Sequence, residues 1–264
     1  MSPRQARRAR PPLLSVHDVV SPRIHRTVDG VRIGHLTDIH VRVGVPPRRL
    51  HRAIELLNAL RPDLVVLTGD YVCFSSRPLP GLAAALKALT VPAFATLGNH
   101  DHWSGAAKVA RALESAGIDV LTNEHRTLQI RGGTLHLVGV DDPVTRHHDP
   151  DKAFRDVPLD DGATRVVLAH DPSFAEALVP YRPAVVFSGH THGGQIVFKR
   201  LTPYMAQRIG IKYLSGFFEI DGAMLYVSRG LGESLPVRFR APPECSQLTL
   251  RSAAAGASAS SAAA

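Results

Sequence analysis

The sequence predicts an α/β protein, a sandwich built around a central mixed sheet, and three observations lead there. Five short apolar runs recur along the chain: "VRIGHLTDIH", "DLVVLTGD", "PAFATLGNHD", "TRVVLAHDP" and "AVVFSGHTH". Runs of this length bounded by glycine or proline read as strands buried on both faces, and such strands belong to sheets flanked by helices. Helical patterns fall between the runs. A hairpin pattern interrupts the alternation in the middle of the chain.

Taken in order, residues 1–29 form a basic, proline-containing arm that becomes structured only as it approaches "VDGVRI". A single domain follows over 30–251, with no linker inside it. After the first run, "RRLHRAIELLNAL" (48–60) sets Leu50, Ile54, Leu57 and Leu60 near one face of a helix. The second and third runs follow, and then "SGAAKVARALESAG" (104–117), with Ser104 as N-cap and a glycine at its end. "RTLQIRG" and "TLHLVGVDD" make the hairpin around Gly132-Gly133. A shorter helix at 171–179 separates the last two runs. Residues 198–218, "FKRLTPYMAQRIGIKYLSGFF", mix basic and bulky apolar side chains; a lid, a membrane-facing surface and an ordinary loop all fit them. Residues 252–264 are a low-complexity tail too poor in bulky side chains to join a core.

Composition narrows the class without choosing a partner. A chain of 264 residues buries about three-quarters of its unfolded surface and needs no disulfide scaffold. Cys73 and Cys245 are far apart and read as reduced core thiols of a cytoplasmic chain. The formal charge of +8 permits an anionic membrane, a phosphorylated substrate or nucleic acid, and nothing beyond bulk charge supports the last. The apolar runs are far shorter than the roughly 20 residues that span a bilayer. Arg7-Arg8 is followed by too brief an apolar stretch for an export signal. The chain has no GxxxxGK[ST] phosphate loop and no G-x-S-x-G elbow.

Each apolar run ends by delivering a residue that can hold a metal. In order these are Asp38, His40, Asp70, Asn99, His100, Asp101, His170, His190 and His192. In open α/β sheets ligands gather beyond the carboxyl ends of strands, so the topology collects these residues. Mixed oxygen and imidazole donors suit Mn²⁺, Fe, Zn²⁺ or Co²⁺ and argue against a closed thiolate zinc site. The set is too large for one ion, and two ions sharing a carboxylate account for its size. Asp-x-His and His-x-His place side chains two apart on one side of an extended chain, within reach of ions about 3.5–4 Å apart. Asp141-Asp142 could orient a metal-ligand histidine, touch substrate or cap the loop before Pro143. His147-His148 read as solvent-facing.

"DIH", "GD", "GNHD", "HDP" and "GHTHGGQ", in that order over roughly 31–250, resemble the signature blocks of the calcineurin-like metallophosphoesterases. The C-terminal "YLSGFFEIDGAMLYVSRGLGESLPVRFRAPPE" is similar to the bacterial YkuE-like phosphodiesterase branch. The resemblance implies a four-layer α/β/β/α sandwich of mixed sheets. It implies two divalent ions, Mn²⁺ first among the candidates. Asp38, His40, Asp70 and His192 would hold one ion; Asn99, His170 and His190 would complete the second across a bridging Asp70. His100 would stand beside the scissile phosphate, oriented by Asp101. The expected activity is hydrolysis of a phosphodiester or pyrophosphate bond by a metal-bridging hydroxide. A monoesterase, a nuclease or a non-catalytic scaffold of the same fold are the alternatives. The substrate would be a phosphoester, with lipid and nucleotide-sugar classes open, and the chain cytoplasmic with peripheral contact to an anionic membrane also open.

Overall fold

The five apolar runs form strands, and the alternation of their side chains separates four layers. The computed structural model describes residues 11–45, 47–198, 201–233 and 238–253; the first ten residues of the basic arm and the tail beyond Ala253 lie outside the described residues. The first sheet is built on β2 (Arg32–Leu36), β3 (Leu64–Thr68), β4 (Ala93–Thr96) and β5 (Asp119–Val120), all parallel. The second is built on β7 (Gly133–Val140), β8 (Thr164–Ala169), β9 (Val185–Ser188) and β11 (Ala223–Val227), also parallel, with β6 (Glu124–Ile130) and β10 (Gly216–Ile220) antiparallel at its edges.

Along β3, Leu64 and Val66 pack between the sheets while Val65 and Leu67 pack on the helices α1 (Arg48–Leu60), α2 (Leu79–Leu86) and α3 (Asn99–Glu114). Along β8, Val166 and Leu168 enter the inter-sheet core, and Val167 and Ala169 pack outward under α4 (Pro150–Ala153) and a 3₁₀ helix, Pro172–Tyr181. A run apolar at every position therefore serves two cores, which is why these strands show no alternation in sequence. The result is the four-layer sandwich of mixed sheets. It replaces the one central sheet read from the runs themselves, because a continuous run does not say which two layers cover it.

Several elements match the sequence reading and several depart from it. The α1 helix and the hairpin of β6 and β7 stand where expected. The α3 helix begins at Asn99 rather than after Ser104. Its cap is the Asp101 carboxylate on the Gly98 N–H, and Gly105 at φ +103 kinks the segment. Residues 172–181, which begin at Pro172 and contain Pro180, wind as a 3₁₀ helix. Part of the expected N-terminal arm is folded. Leu13–Ser21 forms β1, pairing in parallel with β12 (Glu244–Ser252) from Leu13–Glu244 to Ser21–Ser252. Val19 is fully buried there, so the boundary at residue 30 falls inside the folded unit. β12 in turn lies antiparallel to β2. Cys245 is buried as expected, but Cys73 is only half-buried, in the loop after β3. The α5 helix spans Leu201–Arg208. No helix among the described residues is long and apolar enough to cross a membrane.

Candidate metal centre

The carboxyl ends of β2, β3, β4, β8 and β9 meet at one edge of the sandwich, and the candidate residues follow directly from them. All except the half-buried His190 are buried. Asp38, His40, Asp70, His190 and His192 have positive φ, between +46° and +67°. That conformation costs an L-residue about 1–2 kcal/mol, and such strain concentrates at functional sites. The expected geometry, side chains alternating along extended chain, is therefore not how Asp-x-His and His-x-His work here. The strands have already ended at Leu36 and Ser188, and left-handed turns aim the side chains instead.

Three donor groups result among the described residues, and two of them contain a carboxylate. In the first, Asp38, His40 and His192 offer ligand atoms within 4.8 Å of one another. His40 Nε2 is 3.1 Å from His192 Nε2 and 3.5 Å from Asp70 Oδ2, and His192 Nε2 is 3.5 Å from Asp38 Oδ1. In the second, Asp70, His170 and His190 converge. His170 Nε2 is 3.3 Å from Asp70 Oδ2, and His190 Nδ1 is 3.3 Å from His170 Nε2 and 3.1 Å from Asn99 Oδ1. Asp70 faces both groups.

The hydrogen bonds behind these atoms test whether a cation fits. His170 Nδ1 lies 2.6 Å from the Thr68 carbonyl, which can only accept, so this nitrogen carries the proton. In the neutral ring Nε2 is then a lone pair facing a carboxylate oxygen, and two acceptors at that distance require a cation between them. Without a metal the proton takes that place. Burial opposes charge on His170, but the adjacent Asp70 outweighs it and raises the pKa well above the ordinary value. Burial likewise opposes charge on Asp38, yet His192 and His170 hold its carboxyl below the usual range. Burial pushes His40 down to about 3, leaving one ring nitrogen with a lone pair for a metal. Backbone N–H groups fix both carboxylates: His190 N–H donates to the Asp38 oxygens at 3.1 Å, and His100 N–H to Asp70 Oδ1 at 2.9 Å. Such outer contacts orient ligands. The donor set fits divalent ions.

His100 and Asp101 divide differently from the sequence expectation. The His100 ring stands edge-on to His40 at 4.8 Å between centroids, beside Phe74 and Trp103 at 4.6 and 4.9 Å. Its Nδ1 is buried without a hydrogen-bond partner. Asp101 does not orient it. The Asp101 carboxylate instead accepts the N–H groups of Asp70, Tyr71 and Gly98 at 2.7, 2.9 and 3.0 Å. It ties the loop after β3 to the first turn of α3, because three backbone donors left by those turns point at it.

Asp142 caps its loop, accepting the N–H and hydroxyl of Thr145 at 2.7 Å, while Asp141 meets His102 Nε2 at 2.8 Å. His147 is exposed and stacks on His102; His148 is half-buried against Phe174. The sequence reading missed Cys73, whose thiol lies within 4.8 Å of ring nitrogens of His40 and His100. Its place three residues after Asp70 was the available signal. It also missed Arg238, 3.1 Å from His192 Nδ1, which nothing local in the sequence marks. A cleft of about 530 Å³, lined by His190, His192, Gln195, Ile209 and Tyr213 among others, opens the centre to solvent.

Residues 31–194 match the model of the family described as calcineurin-like phosphoesterase. The chain is 31 % identical to the uncharacterized metallophosphoesterase YkuE of Bacillus subtilis, over 89 % of this chain and 84 % of that one. It is 31 % identical to the phosphodiesterase YaeI of Escherichia coli, over 83 % and 82 %. It is 28 % identical to the UDP-2,3-diacylglucosamine pyrophosphatase LpxG of Chlamydia trachomatis, over 84 % of each. With its strand-end motifs, its four layers and its convergent donors, the chain belongs to the calcineurin-like phosphoesterase family of metal-dependent phosphoester hydrolases, in its YkuE-like branch.

Proposed function

We propose that the chain hydrolyses a phosphodiester or pyrophosphate bond at a centre of two divalent ions. One observation carries the reading: two donor groups converge from different strand ends and share Asp70 between them. Asp38, His40, His192 and Asp70 would hold one ion, and Asp70, Asn99, His170 and His190 the other. The oxygen and imidazole donors favour Mn²⁺, with Fe, Zn²⁺ or Co²⁺ as alternatives. When bound, a pair of such ions offsets phosphate charge and makes water a nucleophile near neutral pH.

The chain's own residues supply the rest. The His190 and His100 N–H groups hold the two carboxylates in place. His100 belongs to neither carboxylate-bearing donor group, and its ring beside them would hand a proton to the leaving oxygen, a role worth about 10²–10⁴-fold. Asp101 acts as a positioning residue through the backbone of Asp70 and Gly98. The names of YaeI and LpxG, a phosphodiesterase and a pyrophosphatase, favour a diester or pyrophosphate over a monoester, and the latter name favours a lipid-sugar substrate. The test is hydrolysis of bis-p-nitrophenyl phosphate against p-nitrophenyl phosphate with added Mn²⁺. Faster turnover of the diester is expected; turnover of the monoester alone would overturn the assignment of the bond.

A further inference from the structure

The outer side of α5 is apolar and faces solvent. Leu201, Tyr204, Met205 and Ile209 are between 50 and 70 % exposed. At helical spacing they share one side with Arg208, while Ala206 is buried. A surface helix ordinarily does the reverse and buries its apolar stripe. Phe198 and Phe239, both about half exposed, extend the surface with ring centroids 5.5 Å apart, and the Arg240 guanidinium lies 5.2 Å over Phe239.

The charge of this surface is one-sided. Neither Arg208 nor Arg240 forms an ion pair among the described residues, whereas Lys212 is matched by Glu176 at 2.9 Å. The sequence adds Lys199 and Arg200 to the same segment. Directly after α5, Ile209–Tyr213 line the cleft that His190 and His192 also line. On the His100 flank of the centre, Phe74 and Trp103 are 68 and 55 % exposed and stack in parallel. Exposed apolar patches of this kind mark interaction surfaces. Bulky apolar side chains interspersed with unpaired arginines match an anionic lipid interface, where guanidinium meets phosphate and the apolar groups enter the acyl boundary.

We propose that the α5 face, with Phe198 and Phe239, docks on an anionic phospholipid surface and holds the mouth of the cleft against it. The substrate is then a membrane-resident amphiphile whose phosphate reaches the centre while its apolar part stays in the lipid layer. The statement about substrate rests on the hydrolase reading above; the docking does not.

Flotation of the full chain, without added metal, on vesicles of phosphatidylcholine with phosphatidylglycerol reads docking alone. The wild-type chain floats with these vesicles and markedly less with phosphatidylcholine by itself. The triple variant L201S/Y204S/M205S loses about tenfold or more of the bound fraction. Its far-UV circular dichroism and its turnover of water-soluble bis-p-nitrophenyl phosphate stay at wild-type levels. R208Q/R240Q, which leaves the apolar residues in place, loses the preference for phosphatidylglycerol and keeps the test open should the triple variant not fold. A wild-type chain that floats with neither vesicle overturns the proposal. So does a triple variant that floats as well as wild type, or a wild-type dimer that the triple variant dissolves, which would assign the face to a second copy. Flotation with no hydrolysis of any phosphoester overturns the substrate half alone. Hydrolysis without flotation overturns the docking and leaves the hydrolase reading intact.

Discussion

Gly98→Ala places a methyl group where the centre has no room for one. The backbone at Gly98, φ −116° and ψ 174°, suits any residue, so the cost comes from contacts alone. A Cβ there would overlap Asp70 Oδ1 and stand 2.7 Å from Asp70 N and 2.9 Å from His170 Cδ2. Ordinary contact begins at 3.4 Å, so the His170 ring must retreat by about 0.5 Å and the Asp70 loop by more, against close-packed surroundings. Overpacking of this kind costs about 1–3 kcal/mol of stability. Disturbing the groups that hold ligands lowers metal affinity about 10–100-fold, and misplacing a reacting group by on the order of 1 Å costs about 10²-fold in rate. Gly81→Ala is the matched control. It lies on the exposed side of α2 with nothing within 4 Å of the added Cβ and no positive φ, so it should gain about 0.5–1 kcal/mol from helix propensity. Urea unfolding of the metal-stripped chain, calorimetric titration with Mn²⁺ and hydrolysis of bis-p-nitrophenyl phosphate measure the three effects. A Gly98→Ala chain that binds Mn²⁺ as tightly as wild type and turns over as fast would refute the placement of the chemistry at Asp70 and His170.

His100→Ala should keep its metal content by elemental analysis and lose at least about a hundredfold in kcat; unchanged turnover removes His100 from the mechanism. Asp101→Asn leaves buried N–H groups of Asp70, Tyr71 or Gly98 short of an acceptor. It should therefore cost about 1–3 kcal/mol in urea unfolding, with a smaller loss of kcat at saturating metal than His100→Ala. Wild-type stability with an equal loss of kcat would return Asp101 to the role of orienting His100. Burial between the sheets pushes His35 down to about 4 from the ordinary 6.5, while its Nε2 meets Thr68 Oγ1 at 2.8 Å. The unfolded chain takes up this proton as pH falls through 6.5 and the folded chain does not until about 4. Stability due to His35 is thus present above that window and is lost as pH falls through it, at up to about 1.4 kcal/mol per unit. His35→Gln keeps a partner for Thr68 and should flatten the metal-free stability profile in that range; an unchanged slope contradicts the assignment.

The candidate site was legible because its chemistry is local to each strand end. Asp, Asn and His each follow an apolar run, and within each sheet the carboxyl ends of parallel strands lie along one edge. The α1 helix was legible from Leu50, Ile54 and Leu57, which all prove buried. Layering was legible through the family resemblance but not through the runs themselves, because Leu64 through Leu67 are apolar at every position and serve two cores at once. The pairing of β1 with β12 joins the two ends of the chain, and no local pattern in Leu13–Ser21 announces a partner so far away. The left-handed turns at Asp38, His40 and His192 were hidden for a different reason. Sequence spacing suggests extended geometry there, and the turns become evident only once Gly189 and Gly230 are seen packed against Asp38. The role of Asp101 was misjudged because adjacency to His100 in sequence suggested contact, while its carboxylate turns back to the backbone of another loop.

The measurement that bears most directly on the two-ion centre is a titration of the metal-stripped chain with Mn²⁺, following bound metal and bis-p-nitrophenyl phosphate hydrolysis together. Two ions per chain should bind, with turnover rising as the second is taken up. Asp70→Asn, which keeps an acceptor for the His100 N–H but removes the shared charge, should bind one ion or none and show no turnover. Full activity with a single ion, two ions retained by Asp70→Asn, or a fully loaded wild-type chain that hydrolyses neither diester nor monoester would contradict the account.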